Sequence, residues 1–253
     1  LGIKTIAGDI VLDRSAFSLP EVDPAQFDGE PLRPYNAAPD ALLVNFKSVV
    51  VTFTPDRAAQ VAQVQVDPPL AGVALPASVP LSAGDCGDYR GALKADFADP
   101  LRIRFAGSYP ASCGEKVWPV AYADPKTYAQ RAVLGLWESL GGSLQGSVRL
   151  GTVPSTLAAG KPAFVSSSAP LSEVVRDINK YSNNVMAQQL FLTLGRAAFA
   201  PLPANGAEPA ELPTGSLAAS RAAVLRWWRE RLGAEEPPVL DNGSGLSRQE
   251  RIT

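Results

Sequence analysis

The sequence contains no histidine at all. Without imidazole, Ser-His-Asp and Cys-His catalysis and His-ligated zinc are excluded, so a hydrolase built on this chain must move protons with a lysine, a carboxylate or a hydroxyl. No long basic run is present either. The 23 Lys and Arg against 25 Asp and Glu give a formal charge of −2, which argues against nucleic acid as the main partner. Apolar runs are broken by Gly, Pro, Asn or charge well short of the roughly 18 residues that a bilayer span needs. No transmembrane segment is therefore expected, and since no basic-then-apolar leader opens the sequence, an export signal would lie outside it. What is present is 253 residues, 46% hydrophobic and 19% charged, enough to bury a core in one large or two smaller domains.

Cysteine is scarce, with Cys86 and Cys113 the two copies. Between them Leu101-Arg-Ile-Arg-Phe105 alternates strictly, which predicts strands joined by turns that return the two ends to bonding distance. A disulfide there would stabilise the fold by roughly 3 kcal/mol and place the protein in an oxidising compartment. Two separate buried thiols are the alternative.

The first part of the chain, to about Trp118, has the period of strands: Ile10-Val-Leu12, Val49-Val-Val-Thr-Phe53, Val64-Gln-Val66 and the Leu101 segment, punctuated by Pro and Gly. A long loop from Ser18 to Pro39 carries Asp23, Asp28, Glu30, Phe27 and Tyr35, and loops of that length are functional or mobile. After Trp118 the period becomes helical. Asp124-Pro125 is expected to cap a helix with Ala129, Val133, Leu136 and Leu140 on its inner face, ended by Gly141-Gly142. A short strand is expected near Ser147 to Leu150, then a Ser/Ala/Gly/Pro connection from Gly151 to Pro170. Leu171, Val174, Val175 and Ile178 predict a helix with its apolar face inward. Turn-forming residues at Tyr181 to Asn184 separate it from a second helix striped by Met186, Leu190 and Leu194, with Met186 read as a core residue. A third, capped by Ser216, carries Leu217, Val224, Leu225, Trp228 and Leu232.

Two segments hold the residues suited to chemistry. Ser182-Asn-Asn184 puts a hydroxyl and a carboxamide at a corner between helices, although Ser or Asn there also serves as a helix N-cap. Leu240-Asp-Asn-Gly-Ser-Gly-Leu-Ser-Arg248 is a Gly-rich turn that needs positive φ at Gly243 and Gly245, with Ser247 placed to cap a following helix. Lys180 reads as a solvated helix-end charge. Arg248, a planar cationic fork, suits a substrate carboxylate or an ion pair with Asp241 or Glu250.

Together, Asn179-Lys-Tyr-Ser-Asn-Asn-Val-Met-Ala187 and Asp241-Asn-Gly-Ser-Gly-Leu-Ser-Arg248 resemble the D-alanyl-D-alanine carboxypeptidase/endopeptidase family of the penicillin-binding protein 4 type. Ile6-Ala-Gly-Asp-Ile-Val-Leu-Asp-Arg-Ser-Ala-Phe17, Pro34-Tyr-Asn-Ala-Ala-Pro-Asp40 and the Cys86/Cys113 pair are similar to that family too, so the likeness runs over nearly the whole chain. The family joins three motifs at one cleft: S-x-x-K with the nucleophile, S-x-N, and K-T-G. Only S-x-N occurs in these 253 residues; Lys4-Thr5 and Lys126-Thr127 are followed by Ile6 and Tyr128 where K-T-G needs Gly. The resemblance thus implies an internal piece, with S-x-x-K before Leu1 and K-T-G after Thr253.

It implies an α+β fold as well. Residues 1–160 would be an inserted β-rich accessory region of two subdomains, and residues 161–253 part of a penicillin-binding domain with an antiparallel sheet and helices. The implied chemistry is serine acyl transfer on peptidoglycan stem peptides in the periplasm, without metal or cofactor and with β-lactams as inhibitors of the full enzyme. Ser182 would relay a proton and Asn184 hold the substrate amide. Arg248 would meet a carboxylate, while Glu30 or Asp28, with Tyr35, would meet the amino group of a diamino acid. Competing with this are a non-catalytic module binding cell-wall peptide or protein, and an esterase or β-lactamase of the same fold.

Overall fold

In the computed structural model, which describes residues 2–154, 162–198, 212–233 and 236–251, strands occupy the first part of the chain and helices the last. The elements run β1 (Thr5–Ile6), β2 (Ile10–Leu12), β3 (Ser48–Asp56), β4 (Val61–Asp67), β5 (Ser78–Ser82), α1 (Tyr89–Leu93), β6 (Ala95–Asp96), β7 (Arg104–Phe105), β8 (Tyr109–Pro110), β9 (Lys116–Ala121) and α2 (Tyr128–Ser139). Then follow β10 (Ser143–Leu144), β11 (Val148–Leu150), α3 (Leu171–Tyr181), α4 (Asn184–Ala197) and α5 (Leu217–Leu232). This is an α+β chain. It divides into two compact units, the first comprising Leu1–Ile10, Pro31–Ala37 and Leu43–Arg149, the second Val11–Glu30, Ala38–Leu42 and Leu150–Thr253.

The first unit is organised by a five-stranded sheet in the order β8-β5-β4-β3-β9, with β3 antiparallel to both β4 and β9. Alternation along β3 turns Val49, Val51 and Phe53 inward, and the register sets Phe53 opposite Val64 and Val51 opposite Trp118. Phe53 stacks on Tyr109 at 5.4 Å between ring centroids and meets Phe105 edge-on at 5.3 Å. Such pairs add about 0.5–1.5 kcal/mol each beyond the area they bury. Burial pushes the Tyr109 hydroxyl up to about 12, with the nearby Tyr89 and Glu115 adding to the rise, and burial raises Tyr128 as well. Cys86 and Cys113 are joined in a disulfide, Cα to Cα 4.6 Å, so the two-thiol alternative does not hold. Of the Leu101 segment only Arg104 and Phe105 enter a strand, β7 paired with β6, and Leu101 is exposed.

Helix α2 starts three residues later than the Asp124-Pro125 signal suggests. The Asp124 carboxylate accepts from the Lys126 N–H at 3.2 Å and the Thr127 hydroxyl at 2.8 Å, so it closes a turn ahead of the helix instead of capping it. The inner face is also different. Tyr128, Ala132 and Gly135 are buried, while Leu136 and Leu140 are exposed. Gly135 allows the Pro69 carbonyl to approach so closely that a Cβ would lie 2.2 Å from its oxygen, and the Tyr128 hydroxyl donates to the Ser48 carbonyl at 2.6 Å. Close approach and one buried hydrogen bond outweigh the larger apolar side chains.

The second unit contains α3, α4 and α5. Here too small residues set the packing: a Cβ at Gly195 of α4 would meet Ser220 Oγ of α5 at 2.5 Å, and Ser220 is fully buried, its hydroxyl donating to the Ser216 carbonyl at 2.9 Å. Val185, Phe191, Leu192 and Gly195 of α4 and Ser220 and Ala223 of α5 are the buried positions. The expected stripes are otherwise placed: Met186 and Leu190 are half-buried and Leu194 exposed, and on α5 Leu217, Val224, Leu225 and Trp228 are half-buried and Leu232 exposed. Ser216 caps α5, accepting from the Ala219 N–H at 3.2 Å. On α3, Val174, Val175 and Ile178 are only half-buried and Leu171 is exposed.

Asp40 ties the end of the Pro34–Asp40 segment to α4. Its N–H donates to Gln189 Oε1 and its carbonyl accepts from Gln189 Nε2, both at 2.8 Å. The buried Asp40 carboxylate is held bidentately by Arg14, with Nε to Oδ1 at 2.7 Å and Nη2 on Oδ2.

Candidate functional site

The corner between α3 and α4 is made by three residues with separate tasks. Ser182 ends α3 in the left-handed region at φ 50° and ψ 46°, its N–H returning to the Ile178 carbonyl. Asn183 is extended at φ −82° and ψ 99°, and its side chain caps α4 by accepting from the Met186 N–H at 3.0 Å. Asn184 is then the first helical residue. The capping that sequence alone would allow to either Ser or Asn is thus performed by Asn183. Neither the Ser182 hydroxyl nor the Asn184 carboxamide hydrogen-bonds to another described residue, and Ser182 is exposed.

The Gly-rich segment is held by side chains converging on its backbone. Gly243 and Gly245 have φ of 75° and 74°, as the turn requires. Gly243 also lies against Phe191 of α4, where a Cβ would fall 2.6 Å from the ring. Glu250 Oε1 accepts from the N–H groups of Asp241 (3.2 Å), Asn242 (3.0 Å) and Gly243 (2.7 Å), and Oε2 from Gly245 N–H (3.2 Å). The remaining amide, of Ser244, donates to Asn242 Oδ1 at 3.0 Å, and the Ser244 hydroxyl donates to the same oxygen at 2.7 Å. Arg221 of α5 donates to the Asp241 carbonyl (Nε 3.1 Å, Nη2 2.9 Å) and pairs with Oδ1 at 3.1 Å, while Ser247 donates to Oδ2 at 2.6 Å. Among the described residues no helix follows Ser247. Its hydroxyl accepts from Gln249 N–H at 3.0 Å, and Arg251 bridges antiparallel to Val239.

These two segments meet. A cleft of about 430 Å³ is lined on one side by Ile178, Asn179 and Ser182 to Asn184, on another by Ala187, Leu190, Phe191 and Leu194, and is closed by Gly243 and Ser244. It combines a hydroxyl that can donate and accept, a carboxamide that can do both at once, and an apolar wall. No lysine among the described residues lines it, and Lys180 instead sits 5.1 Å from the Tyr181 ring centroid. Among the described residues no cluster of His, Cys, Asp and Glu could hold a metal ion, and no helix is long and apolar enough to cross a membrane.

Arg248, Glu30 and Tyr35 do not line this cleft. Arg248 pairs with neither Asp241 nor Glu250, because those carboxylates are taken up by Arg221, Ser247 and the loop amides. Its guanidinium lies 5.0 Å from the Phe27 ring centroid, with Nη2 donating to the Phe27 carbonyl at 3.4 Å. The Asp28 carboxylate accepts from the Glu30 N–H at 3.0 Å in the same unit, whereas Tyr35 belongs to a 3-10 turn, Pro34–Asn36, of the first unit. The sequence left the cap open between Ser and Asn, and sequence reasoning missed the Arg221 brace and the contacts of Glu250; an acidic residue shortly after a Gly-rich turn was the only available sign of the last.

The sequence profile of the D-Ala-D-Ala carboxypeptidase 3 (S13) family matches residues 1–253. No curated protein matches the chain. Among solved structures, penicillin binding protein 4 from Haemophilus influenzae is similar with a TM-score of 0.61 and 21% identity over 98% of this chain and 51% of that one. A second structure of that protein, complexed with a novel β-lactam, gives 0.56 and 20% over 98% and 49%. At this identity the likeness establishes the fold, and the chain spans about half the length of the structures it matches. With a family profile matched along all 253 residues, the chain belongs to the D-Ala-D-Ala carboxypeptidase 3 (S13) family.

Proposed function

We propose that this chain supplies the S-x-N side of the active site of a serine D-alanyl-D-alanine carboxypeptidase/endopeptidase that acts on peptidoglycan stem peptides. The observation that carries the reading is the meeting of Ser182 and Asn184 with Gly243 and Ser244 in one cleft, although the two segments are far apart in sequence. A serine attacks the terminal D-Ala-D-Ala carbonyl, the bond to the leaving amine breaks, and water releases the acyl-enzyme. No S-x-x-K or K-T-G occurs in these residues, so the nucleophile and the third wall come from outside them. The Ser182 hydroxyl accepts a proton on one side and donates one towards the leaving nitrogen, and the Asn184 carboxamide holds the substrate's peptide group. On this reading residues 161–253 belong to the penicillin-binding domain and residues 1–160 are an insertion. Arg248, Glu30 and Tyr35 are each proposed as substrate contacts beyond the cleft. The disulfide suits an oxidising, extracytoplasmic compartment.

The test is covalent labelling by a fluorescent penicillin. The complete enzyme is expected to label, and the 253-residue chain alone is not. Labelling of the chain alone would mean that another serine is the nucleophile. A complete protein that neither labels nor cleaves D-Ala-D-Ala peptides would favour a non-catalytic binding module instead.

A further inference from the structure

Four of the five amides between Asp241 and Gly245 point at one carboxylate, that of Glu250. Successive N–H groups gathered around left-handed glycines form a concave, electropositive nest of the kind that binds anions. Here the chain fills its own nest. Glu250 is half-buried and sits outside the cleft, so it touches no substrate on the reading above. What it touches is the backbone that carries Ser244 into the cleft. The restraints from α4, α5 and Ser247 act at single points: Arg221 and Ser247 hold Asp241, and Phe191 abuts Gly243. Asn242 braces the loop from within, accepting from the Ser244 N–H and hydroxyl and donating to the Leu246 carbonyl, while the Glu250 carboxylate reaches amides from Asp241 at its start to Gly245 at its end.

Resting on the peptidase reading, we infer that Glu250 is a positioning residue, an internal anion whose bonds to the 241–245 amides hold the Gly243–Ser244 edge of the cleft against Ser182 and Asn184. Without that charge the amides keep converging but have only water to satisfy them, and the edge is free to shift. A displacement of about 1 Å at a reacting site is enough to lower a rate ~10²-fold.

In the complete enzyme, Glu250→Ala is expected to slow acylation by benzylpenicillin by about 10- to 100-fold. Sodium formate, a small anion that fits where the carboxylate was, is expected to restore part of the rate, and neutral formamide at equal ionic strength is not. An undiminished Glu250→Ala rate overturns the inference, and so does a loss that formate leaves unchanged, since that marks a merely structural role. Should the alanine variant fail to fold, Glu250→Gln keeps the shape and one acceptor but not the charge. It is expected to fall between wild type and alanine, and a wild-type rate overturns the inference. A wild-type enzyme that penicillin does not acylate, or acylates unchanged after Ser182→Ala, overturns the peptidase reading and this inference together. Normal wild-type acylation with an unimpaired Glu250→Ala overturns the inference alone.

Discussion

Alanine substitution at Ser182, Asn183 and Asn184, one position at a time in the complete enzyme, is expected to separate stability from acylation. Asn183 Oδ1 accepts from the Met186 N–H at 3.0 Å, so Asn183→Ala removes an N-cap. Such a loss costs about 1 kcal/mol and lowers Tm by about 2–4 °C in a protein of 150–250 residues, less in a larger one. Ser182 is exposed and its hydroxyl has no partner among the described residues, so Ser182→Ala is expected to change stability by less than about 0.5 kcal/mol. Its left-handed backbone adds a further contrast: at φ 50°, Ser182→Gly relieves strain and is expected to stabilise by up to about 1 kcal/mol. For acylation the order reverses. Ser182→Ala, Ser182→Gly and Asn184→Ala are each expected to lower kcat/KM for a D-Ala-D-Ala peptide by ~10²-fold or more, as for loss of a positioned proton-transfer or substrate-holding group. Thermal melting and stopped-time penicillin labelling on the same samples give both quantities per folded molecule. Wild-type acylation by Ser182→Ala, or a loss of stability there equal to that of Asn183→Ala, would refute the division of labour.

Gly195→Ala should destabilise by about 1–3 kcal/mol, because the new Cβ would lie 2.5 Å from Ser220 Oγ and 2.8 Å from Ser220 N in a fully packed contact; an unchanged urea midpoint would count against that packing. Non-reducing peptide mapping should find one peptide cross-linked through Cys86 and Cys113, and reduction should lower unfolding free energy by about 3 kcal/mol from loop entropy. Two freely alkylated thiols in oxidised protein would contradict this. Tyr109, raised from 10.0 to about 12 by burial, binds its proton more tightly folded than unfolded. Its contribution is therefore fully present below pH 10 and is lost as pH rises towards 12. Roughly 2 kcal/mol of stability is at stake over that range. The alkaline fall should be smaller in Tyr109→Phe, and an identical fall would rule Tyr109 out as its source.

The parts of this protein legible in its sequence are those set by local period and by backbone chemistry. Alternation located β3 and β4, the apolar spacing located the three C-terminal helices, the turn residues at Tyr181 to Asn184 marked the corner between two of them, and Gly243 and Gly245 marked a turn with positive φ. The lack of histidine and the S-x-N and Asp-Asn-Gly-Ser-Gly-Leu-Ser-Arg motifs narrowed the chemistry before any fold was known. Packing was another matter. Large apolar residues predicted the inner faces of α2, α4 and α5, yet Gly135, Gly195, Ser220 and Ala223 are among the residues buried there, because closest approach of backbones depends on what lies opposite in space. The same applies to Asn183 against Ser182 as the cap, which turns on two φ/ψ pairs, and to Glu250, whose partners are backbone amides that carry no residue-type signature. Side-chain period is a one-dimensional property that the sequence itself displays; close approach and convergence of hydrogen bonds exist only once the chain has folded and brought distant residues together.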